Sequence, residues 1–382
     1  MSNQPKHTLT LIPGPIEFDD AVLESMGHPS ISHTTTGFAE VFGETLKLLR
    51  TLFFATDKKS QPFLLAGSGT VGWDLAGTNL VENGEKVLVL NTGFFAEAWG
   101  NSLRALGAEV TEIKPEIGDV PDMAEIEAAL KANKYRAITI TQVDTSTGVL
   151  TDVKKIAELV QRVSPETFTF VDGVCSIAVE ELRFDDWKLD FVLTGPQKGI
   201  GAPAGLSISF ASARAIEFLN TRKTPTGAYF LDMKRWIPIM QAYEGGKPAY
   251  FSTPAIQNVY ALRTSLQQYA TSASSVEQRW KENAKVSDRV KNEIEGLGLK
   301  LVATSRSHGA HGLSCVYLPE KVQLGDFLGE MLKNNIQLAG GLVQPVANRY
   351  FRIGHMGVSA FKYGHIDYLL EVLPKVMAQL NK

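Results

Sequence analysis

What the chain has little of sets the first limits on it. Only two cysteines, Cys175 and Cys315, occur in 382 residues. Both lie in apolar stretches, which is too sparse for a disulfide framework, implies no metal cluster and suits a reducing compartment. An excess of one charge is also missing. With 38 basic against 41 acidic residues and a formal net charge of -3, the chain has no electrostatic footprint for nucleic acid or an anionic membrane. No stretch approaches the roughly 18 continuous apolar residues of a membrane span. The first ten residues have neither the apolar core of a signal peptide nor the repeated arginines of a transit peptide. The closing Leu380-Asn381-Lys382 is not a peroxisomal tripeptide. The location expected on these grounds is cytoplasmic, with a mitochondrial one left open, and the expected partners are small molecules and copies of the chain itself.

What is present is ordinary globular composition, 44% hydrophobic and 21% charged. A chain of this length is too long for one small core, so two domains are expected. Between residues 62 and 210 short apolar runs alternate with segments of helical period. Strands are expected at 63–66, 86–90, 137–141, 167–171, 191–194 and 206–210, with amphipathic helices at 122–132 and 152–163, the second capped by Asp152. This pattern predicts an α/β domain with a mainly parallel sheet. Beyond Pro254 one long polar helical pattern runs from 257 to 297 with no glycine before Gly296. It reads as a connector into a smaller α+β domain, with a strand at 313–317, a helix at 324–335, a strand at 349–353 and a last helix at 366–379. The division expected is an arm over 1–20, a large domain over 21–256, and the connector with the small domain over 257–382.

Three segments carry candidate chemistry. Gly67-Ser68-Gly69-Thr70-Val71-Gly72 follows a strand and opens a helix, so its N–H groups and hydroxyls could cradle a phosphate at the positive helix end. It also spells G-x-G-x-x-G, but the dinucleotide reading needs an acidic residue at the end of the next strand, and that strand ends Val89-Leu90-Asn91. A tight turn without ligand fits the segment as well. Asp172 follows the apolar run Thr167-Phe168-Thr169-Phe170-Val171, where the crevice of an open α/β sheet lies; a turn or helix cap is its plainer role. Lys198 stands between an apolar strand and the turn Gly199-Ile200-Gly201, whereas most lysines are simply solvated. Together the three supply what a pyridoxal phosphate (PLP) site requires: a phosphate anchor, a partner for the pyridine nitrogen and an amine that forms an imine.

In order and spacing these motifs resemble the class V, fold-type I aminotransferases, and within them the alanine-glyoxylate and serine-pyruvate branch, its fungal alanine-glyoxylate members in particular. The likeness runs from Leu11-Ile12-Pro13-Gly14-Pro15 through Ser32-His33-Thr34, Gly67 to Thr70, Asp144-Thr145-Ser146-Thr147-Gly148, Val171-Asp172 and Gln197-Lys198. It continues through Tyr250-Phe251-Ser252-Thr253-Pro254 and Ala339-Gly340-Gly341 to Phe351-Arg352-Ile353-Gly354. The resemblance implies a seven-stranded, mainly parallel sheet and a PLP enzyme with Lys198 as Schiff-base lysine and general base, and Asp172 against the ring nitrogen. It further implies Ser68, Gly69, Thr70 and Gln197 around the phosphate, Phe95 stacked on the ring, and Thr145 near the ring oxygen. Arg352 would hold the substrate carboxylate, and Gly14 belongs to backbone that closes over the substrate. Tyr250 and Thr253 would reach the phosphate of a second subunit, making a homodimer.

Two positions depart from the family pattern. Pro196 stands where a serine is common two residues before the lysine, which puts a minor phosphate or turn contact in question, and Phe95 stands where tryptophan is frequent. The reaction implied transfers the amino group of L-alanine to glyoxylate, with a serine-pyruvate or serine-glyoxylate exchange as the alternative. Other readings are weaker on the residues. A cysteine desulfurase needs a mobile, activated cysteine, and Cys175 and Cys315 sit in apolar settings. An NAD-dependent dehydrogenase has only the glycine match. A metal site at His308-Gly309-Ala310-His311 competes with a reading of these as solvated loop histidines, which is preferred.

Overall fold

The computed structural model describes residues 2–381. Its main sheet has seven strands in the order Gln61–Gly67, Gly205–Ala211, Phe191–Thr194, Phe168–Asp172, Ala137–Thr141, Lys86–Leu90 and Glu109–Ile113. Gly205–Ala211 runs antiparallel to both its neighbours and all other pairs are parallel. The inner strands are continuous apolar runs because helices cover both faces: Val87, Leu88, Val89, Phe170, Val171, Val192 and Leu193 are wholly buried. All six strands expected from the sequence form. The seventh, Glu109–Ile113, lies at the edge with one neighbour and alternates exposed and covered residues. Its Glu-Val-Thr-Glu-Ile sequence therefore looks polar where the inner strands look greasy.

After Gln61–Gly67 the chain crosses to Lys86–Leu90, adds Glu109–Ile113 outside it, then returns strand by strand toward the start. The direction of winding reverses between Lys86–Leu90 and Ala137–Thr141, and crevices at the carboxyl ends beside such a reversal are where open α/β sheets bind ligands. Helices Met123–Ala132 and Val153–Val163 form as expected, each capped by the aspartate before it, Asp122 and Asp152.

The long pattern from 257 to 297 is not one helix. It divides into Ile256–Gln267 and Ala273–Gly296, because Ser272 and Ser275 make a reciprocal capping box that starts the second helix afresh while Tyr269 and Ala270 turn into the core. Beyond it lies a four-stranded antiparallel sheet, Lys300–Leu301, Leu313–Tyr317, Tyr350–Gly354 and Ala339–Gly340, covered by Leu324–Lys333 and His365–Leu380 around a separate apolar cluster. The N-terminal Leu9–Thr10 pairs with Ile336–Gln337, and the residues that follow reach the turn after Phe191–Thr194, where the Ile16 N–H donates to Gln197 O (3.3 Å). No helix among the described residues is long and apolar enough to cross a membrane.

Candidate active site

Five strands of the main sheet end on one side of it, and the segments that follow them hand candidate residues to the same cavity of about 150 Å³. Ser68 and Gly69 follow Gln61–Gly67, and Phe95 follows Lys86–Leu90. Thr145 follows Ala137–Thr141, Asp172 closes Phe168–Asp172, and Gln197 with Lys198 follows Phe191–Thr194. Residues far apart in sequence thus converge because parallel strands present one kind of end to one side.

The lysine is held in place from two directions. Pro196 accepts backbone bonds from Gly201 (3.0 Å) and Ala202 (2.9 Å), so a residue with neither hydroxyl nor N–H still closes the lysine turn through its carbonyl. From the other side Lys198 Nζ donates to the carbonyls of Pro13 and, at 3.2 Å, Gly14. Gly14 has φ +94°, a conformation that favours glycine, and a Cβ there would lie 2.6 Å from Nζ, so the glycine lets the N-terminal segment lie over the amine.

Asp172 is 4% exposed. Its Oδ2 accepts from Trp73 Nε1 (2.8 Å) and its Oδ1 from the Val174 N–H (2.9 Å). Burial outweighs these bonds and pushes its pKa up to about 6, with the nearby Asp144 adding to the rise and Lys198 opposing it. A buried carboxylate poised near neutrality responds to a cation placed against it by ionising, which suits a partner for a protonated ring nitrogen.

The helix Gly69–Leu80 begins with Ser68 at its N-cap, yet the Ser68 hydroxyl makes no capping bond. Ser68 and Thr70 are exposed at this end. Gly69 packs so closely on the turn after Asp172 that a Cβ would meet Val174 Cγ2 at 2.6 Å. Gln197 puts its side-chain amide into the cavity with Oε1 buried and unpaired. An idle N-cap hydroxyl and a positive helix end fit the phosphate of PLP, toward which the Gln197 amide can turn its NH2 as donor, and the amine and the buried carboxyl fit its aldehyde and ring nitrogen. The donor set therefore accommodates this cofactor.

Phe95 lines the cavity from the first turn of Phe94–Ala105. That turn is fixed by Asp144, a wholly buried residue whose Oδ2 accepts the N–H groups of Phe95 (3.1 Å) and Ala96 (3.0 Å). Arg352 reaches the same region from the C-terminal sheet. Its Nε donates to Gly340 O (2.7 Å) and its Nη1 to Thr145 O (3.3 Å), and no carboxylate among the described residues pairs with it.

Gly14 and Arg352 do not line the cavity but touch its Lys198 and Thr145, whereas Tyr250 and Thr253 make no such contact. Tyr250 is 63% exposed, with its ring 4.9 Å from that of His33, and Thr253 is exposed too. Cys175 lines the cavity, but burial lifts its thiol to about 11, and Cys315 is buried under the Thr145 turn. Neither is an activated nucleophile. The two histidines depart from the solvated reading: His311 Nδ1 lies 2.6 Å from the buried Glu180, and His308 3.2 Å from Asp119. Among the described residues no group of three or more His, Cys, Asp or Glu is placed to hold a metal.

Two contributors carried no role in the sequence reading. Trp73 sits one turn into the helix behind Gly69, from where a long side chain leans back toward the helix start and so reaches Asp172. Asp144 was visible only as part of a motif, with no signal that it would hold the Phe95 helix.

The family described as Aminotransferase class-V matches residues 21–354. Alanine-glyoxylate aminotransferase 1 of Saccharomyces cerevisiae is 42% identical over 360 residues, 92% of this chain and 92% of its own. L-aspartate-glyoxylate aminotransferase of Paracoccus denitrificans is 28% identical over 349 residues, 91% of this chain and 85% of its own. Among solved structures, an alanine-glyoxylate aminotransferase from Nostoc sp. is similar with a TM-score of 0.89 and 27% identity, covering 98% of this chain and 96% of that one.

Proposed function

The chain belongs to the class V aminotransferases and is a PLP-dependent transaminase, and from that premise we propose that it moves the amino group of L-alanine to glyoxylate, giving pyruvate and glycine. The observation that carries the substrate reading is the charge inventory of the site: among the described residues the ionisable groups lining the cavity are Asp172, Cys175 and Lys198, with Arg352 at its border on Thr145 O. Arg352 beside Thr145 then serves one carboxylate, the α-carboxylate, through the paired N–H groups of its planar fork. An aspartate or glutamate side chain would bring a second negative charge with no cation to meet it. A methyl group brings no such charge to a cavity that Val143 and Val174 also line.

PLP supplies an aldehyde that exchanges with primary amines and a ring that withdraws electrons from the bound carbon. The roles we assign to the chain follow from position. Lys198 Nζ would supply the amine that attaches the cofactor and the base that takes the proton from the substrate Cα and returns one on the way to product. Asp172, held by Trp73 and Val174, would keep a proton on the ring nitrogen. Ser68, Gly69, Thr70 and Gln197 would hold the phosphate, Phe95 and Thr145 would hold the ring, and the Gly14 backbone would close over the substrate. We further infer a homodimer in which the exposed Tyr250 and Thr253 serve the second subunit's phosphate; an active monomer by light scattering under assay conditions would exclude it.

The deciding experiment is a panel of kcat/KM values for alanine, serine, aspartate and glutamate with glyoxylate as acceptor. Alanine is expected first. Serine is the runner-up, because an apolar pocket rejects an added hydroxyl only weakly. Aspartate leading, as in the Paracoccus relative's name, or glutamate leading, would overturn the substrate reading and leave the transaminase assignment intact.

A further inference from the structure

Arg352 does not reach the cavity by itself. Tyr350, two residues earlier on the same face of Tyr350–Gly354, is wholly buried. Its hydroxyl donates to Ser146 O (2.6 Å) and accepts the N–H groups of Leu342 (2.8 Å) and Val343 (3.1 Å). Arg352 bridges the neighbouring atoms of the same two segments, Thr145 O and Gly340 O. The loop lies flat against the phenol: a Cβ on Gly341 would be 2.5 Å from Tyr350 Cζ.

On the far side the contact continues inward. Ser146 Oγ accepts the Phe94 N–H (2.9 Å), and the Ser146 N–H goes to Asp144 (3.0 Å), the residue that holds the first turn of the Phe95 helix. One hydroxyl therefore ties loop 340–343 to the turn that borders the cofactor cavity.

We propose that Tyr350 is a positioning residue for the carboxylates of both substrates: by clamping turn 145–146 to loop 342–343 it fixes the distance and angle at which Arg352 faces the Lys198 cavity. A bidentate fork loses one of its two bonds when it tilts, so the orientation of the guanidinium governs binding more than its presence does. Removing the hydroxyl frees one buried carbonyl and two N–H groups at once while the ring, edge-on to Tyr317 at 6.1 Å, still fills its place. The inference rests on the reading of Arg352 as the carboxylate clamp.

The test compares Tyr350→Phe with wild-type holoenzyme in both half-reactions. KM for alanine and for glyoxylate should rise together by about tenfold, kcat should stay within about twofold, and the absorption spectrum and retention of bound PLP should not change. Tyr317→Phe, which removes a hydroxyl that makes no hydrogen bond in the structure, should leave all of these as they were. If the core does not tolerate phenylalanine, Val343→Pro deletes one of the tethered N–H groups from the loop side and should raise both KM values in the same way. Unchanged KM in the folded variant, or a loss confined to kcat or to PLP retention, would overturn the proposal. Arg352→Lys separates the two ideas. If it leaves KM unaltered, the clamp reading itself fails, whereas a large rise with Arg352→Lys and none with Tyr350→Phe defeats the positioning role alone.

Discussion

Lys198 and Lys291 occupy similar-looking places in different regions of the molecule. Both are drawn in from solvent and both donate to two successive backbone carbonyls, Lys198 to Pro13 and Gly14, Lys291 to Gly309 (3.0 Å) and Ala310 (2.9 Å). Their surroundings differ. Lys291 is 2% exposed inside the packing of Ala273–Gly296 against the loop 309–311, and that burial lowers its pKa. Lys198 opens on a cavity that also holds a buried carboxyl, a helix end and an unpaired amide. Burial and carbonyl partners alone make a structural lysine. What makes a reactive one is an accessible amine placed against groups that can receive a ligand.

The sharpest way to break the comparison is to exchange the losses. Lys198→Ala should abolish transamination, a fall of at least about 10⁴-fold, with the melting temperature of the cofactor-free protein little changed. Lys291→Met should do the reverse, keeping turnover within a few fold while two buried carbonyls lose their donor and stability drops by about 2 kcal/mol. Activity in Lys198→Ala, or a large turnover defect in a folded Lys291→Met protein, would erase the distinction.

Asp172 sharpens it further. Asp172→Asn should lower turnover by about 10²-fold or more, since an amide cannot support a ring proton electrostatically, with a smaller effect on folding. The cofactor-free protein also carries a pH signature. Because burial raises the carboxyl from its ordinary 3.8 to about 6, the folded state keeps a proton between those values that the unfolded state has already lost. Stability contributed by the neutral acid is therefore present at low pH and declines as pH rises through this window, by about 3 kcal/mol in full. Denaturant titrations from pH 4 to 7 should show this slope in wild-type protein and its absence in Asp172→Asn. Equal slopes would show that the carboxyl is not desolvated as described.

Much of this is legible in the sequence alone. Inner strands announce themselves because both faces are buried, and the residues at their carboxyl ends, Ser68, Asp172 and Lys198, could be picked out from the runs that precede them. The edge strand Glu109–Ile113 was not, since a strand with one neighbour need not be apolar, and neither was the break at Ser272, where a serine pair interrupts a polar pattern of helical period. The supporting residues were hidden for another reason. Trp73, Asp144 and Tyr350 act through contacts across 99, 49 and 204 positions of sequence, which no local spacing encodes. The resemblance named Tyr250 and Thr253 with a second subunit in mind, and a single chain leaves them on its surface.

The most direct test of the account is to reduce the purified holoenzyme with borohydride and locate the fixed cofactor by peptide mass spectrometry. The pyridoxyl group should be found on the peptide carrying Lys198, and Lys291 should be unmodified. Fixation on Lys291 or any other lysine, with Lys198 free, would contradict it.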